Sequence, residues 1–188
     1  QLRYKKLVQT VSYLPHFLSW VVLSGILRAL LSHSDGTVNY IIESLGGQPV
    51  NFLNSNATFI WVLVFSSVWQ SVGWGSIIYL ATLAGVDPQL YESAVLDGAS
   101  RFQQMRYISL PMLYNIMSIQ LILSMGGILN AGFEQVLMLY NELVYETGDI
   151  IDTFVYRAGI VDLKYSFSTA VGLFKTAIGF VMMMLANY

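Results

Sequence analysis

Apolar residues along this 188-residue chain gather in four long runs, at about 11–31, 58–83, 113–131 and 168–188, with polar segments between them. A hydrocarbon core of roughly 30 Å takes about 20 mainly apolar residues in a helix. Each run meets or nearly meets that length. With no water at that depth, a span must satisfy its own backbone polar groups, which selects helices. No run alternates apolar and polar residues at period two, so a barrel is a poor fit. The pattern predicts an all-α, polytopic membrane helix bundle with four spans, forming a single transmembrane domain over residues 1–188.

Composition supports the membrane assignment and narrows the function classes. Hydrophobic residues make up 55% of the chain and charged residues only 11%, with mean hydropathy +0.59. A soluble domain carries about 25% charged residues, so this chain cannot cover a water-facing surface in the usual way. The formal net charge of −2 leaves no basic footprint for nucleic acid. Cysteine is absent, which removes disulfides, thiolate metal sites and cysteine nucleophiles together. His16 and His33 are isolated and belong to no metal-ligand spacing. The chain starts at Gln1 without a cleavable-signal pattern and stops inside an apolar run at Tyr188, so the expectation is a piece of a longer protein.

Basic residues orient the spans. Arg3, Lys5 and Lys6 precede the first run, and Arg101 and Arg106 lie between the second and third. The other two connections hold only Arg157 and Lys164, among many acids. Five basic residues against two place the N-terminus and the 85–111 loop in the cytoplasm. Tyr13, Trp20, Trp61, Tyr79 and Tyr114 suit headgroup depth, whereas Trp69 and Trp74 fall nearer the middle of the second span.

The 85–111 loop reads as a helix, a break, and a second helix leading into the third span. Asp87 is a natural N-cap and Pro88 suits the first helical position. Gly98 suits a helix end, Ser100 can cap the second helix, and Pro111 marks entry to the membrane helix. Leu90, Ala94 and Gly98 share a face, and the two small residues let another protein's backbone approach. Glu92 and Asp97 stand beside that stripe, where they can pair with a partner's cations. A short helix held between two spans is a mechanical contact, not a catalytic site. Periodicity alone favours an amphipathic surface helix that merely caps the bundle.

The series Glu92-Ser93-Ala94, three residues, Gly98, nine residues, then Ile108-x-Leu110-Pro111 resembles the EAA loop of ATP-binding-cassette importer permeases. Both spacings match the family pattern, and Ser93 in place of the first Ala is a small-for-small departure. The wording Asp97-Gly-Ala-Ser-Arg-Phe102 resembles carbohydrate-uptake members, as do residues 7–17 and 145–152, so the likeness covers most of the chain. It implies a type I, MetI-like permease of the bacterial cytoplasmic (plasma) membrane, with one or two further N-terminal spans. Glu92, Ser93, Ala94, Asp97, Gly98, Ile108, Leu110 and Pro111 would then form the coupling segment that docks on a cytoplasmic ATPase dimer. A second permease subunit, a different chain, and an external solute-binding protein would complete the assembly in the bilayer. ATP and Mg would be bound by the ATPase, leaving no cofactor in this chain. The chain contains no G-x-x-x-x-G-K-[ST] phosphate loop.

A sugar path needs hydrogen-bonding groups and flat apolar faces. Ser66, Gln70 and Trp74 recur every four residues in the second span, and Gln120, Ser124 and Gly127 share a side of the third, followed by Asn130. Unpaired polar groups in lipid are costly, so these stripes should face the bundle interior. Gln70, Trp74, Gln120 and Ser124 are therefore candidates for the substrate path, with helix–helix packing the plainer role for the same residue types. Lys175 lies one-third to halfway along the fourth run. It is explained by a cavity position opposite a carboxylate or an anionic substrate, by snorkelling, or by a span that starts later. Arg28, near the end of the first run, suits snorkelling. The segment 133–165 carries six acids and two basic residues, which suits either a receptor-docking surface or a solvated loop. Residues 135–140 within it suggest a short helix packed near the pore.

The function expected is a permease subunit of an ATP-driven carbohydrate importer, without enzymatic activity of its own. Rival readings are a permease of the same class for an amino acid, peptide or anion, and an ion-coupled secondary transporter. None of the eleven acids falls well inside a predicted span, which disfavours the last.

Overall fold

The structure, a computed structural model, describes residues 2–187, with the side chains of residues 2, 3, 5 and 187 excepted. Arg3 and Lys5, counted above toward orientation, and both chain ends lie outside that description. Every regular element among the described residues is helical. In chain order these are α1 (Leu2–Tyr13), α2 (Trp20–Leu31), α3 (Thr37–Ser44), α4 (Asn56–Ala84), α5 (Pro88–Leu96), α6 (Arg101–Gln104), α7 (Leu110–Gly126), α8 (Phe133–Leu139), α9 (Tyr145–Gly148), α10 (Ile151–Tyr156) and α11 (Tyr165–Asn187). Short 3-10 or π turns cover Leu14–Phe17, Met105–Ser109, Glu142–Val144 and Arg157–Val161. The fold is an all-α helix bundle in which, among the described residues, three helices are long and apolar enough to cross a membrane, or four if one bent pair is a single span. The chain divides into two compact units, Gln1–Gly73 with Leu129–Ile178, and Trp74–Ile128 with Gly179–Tyr188.

The first expected span is the bent pair. Lys6–Phe17 and Trp20–Leu31 meet at 104° instead of forming one straight helix over 11–31. Pro15 is the second residue of the 3-10 turn, Leu18 is extended at φ −87°, ψ 131°, and the Ser19 hydroxyl accepts the Val22 N–H to start α2. The carbonyl of Leu18, left without a helical partner by the break, accepts a hydrogen bond from Gln70 Nε2 at 3.2 Å. Gly73 makes the bend possible. A Cβ there would collide with the carbonyl oxygen of Ser12, so only glycine lets the α1 backbone come this close.

In the first unit Phe59, Leu139 and Val144 are buried together, with Leu27, Leu53, Leu63 and Tyr140 against them. Of residues 135–140, all but the C-cap Tyr140 belong to a short packed helix, α8. Its Gln135 is buried yet fully engaged, donating to the Leu63 carbonyl at 2.7 Å and to Ser66 Oγ at 2.8 Å. Ser66 in turn bonds the Val62 carbonyl. The polar stripe of α4 therefore begins as packing contacts.

In the second unit the helix entering the third span starts earlier and ends earlier than the apolar pattern suggests. It runs from Arg101 to Gly126, and Gly127 caps its end, so Gly127 and Asn130 stand beyond it. Pro111 does not begin this helix. It sits in the first turn of α7, directly after the π turn Met105–Ser109, where the Leu110 N–H reaches back five residues to Met105. Proline has no N–H and its ring crowds the preceding turn. The wider π turn accommodates that strain without a break.

Candidate functional site

The loop between the second and third spans folds from its own local chemistry. Asp87 accepts the Gln89 N–H at 2.9 Å, and Pro88 occupies the first turn of α5. At the other end the Ala99 N–H bonds the Ala94 carbonyl at 2.8 Å and the Gly98 N–H bonds the Val95 carbonyl at 3.0 Å. With Gly98 at φ +78°, this is a Schellman stop, and it requires the left-handed conformation that glycine adopts freely. Ser100 and Gln103 then form a reciprocal capping box that starts α6. Ala94 and Gly98, four residues apart, are thus the two ends of one turn-closing motif.

Within the second unit, Tyr91 Oη meets Ser109 Oγ at 2.9 Å, bracing α5 against the π turn. Glu92, Ser93, Asp97 and Gly98 are exposed, as are Leu110 and Pro111, while Ala94 and Ile108 are half-buried. Leu96 is 88% exposed and Val95, Phe102, Met105 and Tyr107 are also exposed. This braced helix thus presents acids beside exposed apolar residues.

The candidate path residues divide between the units. In the first, Gln70 caps the Leu18 carbonyl as described, which is a packing role. Lys175 pairs with Asp152 at 2.5 Å, its side chain 15% exposed. Sequence reasoning could not supply that partner, because Asp152 reaches it only through a helical hairpin. The hairpin turns at Leu163, φ 58°, where the Lys164 N–H bonds the Ala158 carbonyl. Ser168 Oγ donates to the Val155 carbonyl, and Phe154 meets Phe167 edge-on at 6.1 Å. Asp152 also belongs to the stretch that packs on the first turn of α4: Glu146 and Thr147 bond Asn56, and Gly148 lies against the Phe59 ring. An acid thus stands beside the fourth apolar run. In the second unit Trp74 and Ser124 are exposed and Gln120 half-buried, and the Ser124 hydroxyl donates to the Leu121 carbonyl in its own helix.

The acidic segment contains a second charge cluster that sequence reasoning missed. Arg157 holds Asp149 with two hydrogen bonds, 2.9 and 2.5 Å, donates to Tyr140 Oη, and lies 4.6 Å from the centre of the Tyr145 ring. Thr153 adds a donor to Asp149 and accepts the Ile150 N–H. The Arg157 hydrogen bonds hold the Asp149 carboxyl below its ordinary range, against the opposing effect of burial. The same pairing raises Arg157. Burial, then the neighbouring Tyr140, raises Tyr145.

Comparison with known proteins adds to this geometry. The profile of the family described as "Binding-protein-dependent transport system inner membrane component" matches residues 3–188. The polygalacturonan/rhamnogalacturonan transport system permease protein YteP of Bacillus subtilis is 44% identical over 98% of this chain and 57% of its own length. Protein LplB of the same organism is 43% identical over 98% of this chain and 58% of its own length. A crystal structure of a bacterial alginate ABC transporter, in complex with an alginate pentasaccharide-bound periplasmic protein, contains a chain with TM-score 0.96 and 38% identity. The match covers 100% of this chain and 65% of that one. The chain spans less than three-fifths of the length of either curated relative.

Proposed function

Because the chain belongs to the family of binding-protein-dependent transport system inner membrane components, we propose that it is the permease subunit of an ATP-driven importer of oligosaccharides. The carboxylated sugar polymers named for its relatives support acidic oligosaccharides as the cargo. The observation that carries the reading is the α5 loop: a rigidly capped, exposed helix, closed by Ala94 and Gly98 and flanked by Glu92 and Asp97. It sits at the inner face of the bacterial cytoplasmic membrane and docks on a dimer of cytoplasmic ATPases, which hold ATP and Mg. Ile108, Leu110 and Pro111 carry its motion into α7 through the π turn. A second, different permease chain and an external solute-binding protein complete the assembly, and nucleic acid has no part in it.

The chain's work is a conformational equilibrium biased by its partner, with no bond made or broken on it. ATP binding closes the ATPases, α5 moves with them, and the bundle passes from inward to outward opening. Substrate enters from the external binding protein and leaves to the cytoplasm after hydrolysis. Trp74, Gln120 and Ser124 remain the candidate lining of the path, while Gln70 and Lys175 shape it through the contacts they already make.

The test is Glu92→Lys and, separately, Gly98→Trp in the assembled transporter. Both variants should insert normally, lose co-purification of the ATPase, and lose sugar uptake. ATPase recovery equal to wild type with both variants contradicts the docking role.

A further inference from the structure

Two hollows in the first unit adjoin each other and share Leu31. One, of about 410 Å³, lies where the end of α2 meets the segment before α4, and its lining mixes polar residues, Arg28, Ser34, Asn54 and Asn141 among them, with Leu53 and Leu139. The other, of about 370 Å³, runs along α4 and is apolar, with Phe52, Trp61, Phe65 and Trp69 in its wall. Its only hydroxyl-bearing residues are Thr58 and Ser66, and both hydroxyls are engaged by the chain itself.

We infer that the pair is a binding site for an anionic phospholipid, with the phosphate in the polar hollow and one acyl chain in the apolar groove. Three observations carry this. First, charge: the cation Arg28 lines the polar hollow, and among the described residues no Asp or Glu lines either hollow, Asp35 and Glu43 lining a third depression that meets the polar one at Ser34. Second, shape: Trp61, Phe65 and Trp69 recur every four residues on one face, so the aromatic wall extends about 12 Å from the polar end. One leaflet's share of the hydrocarbon core is about 15 Å. Third, preorganisation: the walls of the polar hollow are fixed by the chain's own bonds. Asn39 ties the Ser32 carbonyl to Val50, Asn141 bonds Leu53 and Asn54, and Arg28 is aimed by the Met138 carbonyl at 2.6 and 3.2 Å. An amphiphile fills both hollows, and Trp69, too deep for a headgroup belt, gains a reason for its position.

The inference depends on the chain being embedded in a membrane and not on what it imports. It is tested on the assembled transporter in nanodiscs containing a trace of phosphatidylglycerol, or of phosphatidylcholine, that carries a photoreactive group on the same acyl chain. After irradiation, adducts on the peptide bearing Trp61, Phe65 and Trp69 are quantified by mass spectrometry. Phosphatidylglycerol should label it about fivefold more than phosphatidylcholine, the preference expected for a cationic contact at an interface. Arg28→Gln should abolish that preference. Equal labelling by both lipids means ordinary boundary lipid and overturns the proposal. Absence of adducts means that protein covers the groove, and loss of adducts on adding a galacturonate oligosaccharide means a sugar site; either also overturns it.

Discussion

Gly98 shows how much one residue decides. Its left-handed backbone closes α5, and any L-residue with a Cβ there costs about 1–2 kcal/mol. Gly98→Ala should therefore fray the end of the helix and reduce substrate-stimulated ATP hydrolysis in the assembled transporter while expression is retained; unchanged stimulation would contradict that account. Caps such as Asp87, Gly98 and Ser100 were legible in the sequence because each acts on residues within three or four positions. Asp149 was not, since its partner Arg157 is eight residues away and meets it only after α10 has formed. The lowered pKa of Asp149 has a definite consequence. Its ionised form is favoured by folding, so this contribution is full above the ordinary carboxyl value, near 3.9, and is lost as pH falls through the depressed value. Asp149→Asn should lower the thermal midpoint at neutral pH, and the gap to wild type should narrow as pH falls below about 4 and close only below the depressed value. A gap that persists unchanged into acid would mean the pair acts by packing alone.

At the scale of elements, the apolar runs located the long helices but not their breaks. The α1–α2 bend depends on Pro15 and the extended Leu18, which are local, and also on Gly73 and Gln70, which come from a helix more than fifty residues on. Gly73→Ala should dislodge α1 and lower the thermal midpoint by several degrees, with far-ultraviolet dichroism little changed. A midpoint equal to wild type would mean that α1 is not held there. Polar residues within apolar runs read equally as path or packing, and the choice depended on partners that the chain supplies from far away. Gln135 illustrates this: buried in α8, it satisfies both the Leu63 carbonyl and Ser66 of α4. Gln135→Ala should cost about 1–3 kcal/mol, the usual penalty for buried polar groups left unpaired. Chemical denaturation of the solubilised permease checks the value, and a loss under about 0.5 kcal/mol would show that water replaces the amide.

For the molecule as a whole, scarcity of charge and the four apolar runs were enough for the bundle, and the spacing from Glu92 to Pro111 was enough for the family, since both are properties of composition and order. The pairing of Lys175 with Asp152 was not accessible in that way, because a hairpin folds the acidic segment back along the fourth run. The central claim is that α5 lies on the cytoplasmic side in the grip of a separate ATPase. Residues 1–188 hold no cysteine, so a cysteine placed at Val95, an exposed position on α5, in a transporter cleared of cysteine elsewhere, reports on that side alone. In intact cells a membrane-impermeant maleimide should leave it unlabelled. In inverted vesicles it should be labelled and, with a bifunctional reagent, cross-linked to the ATPase in a yield that changes with ATP. Labelling from outside the intact cell, or cross-linking to the external binding protein instead, would contradict the account.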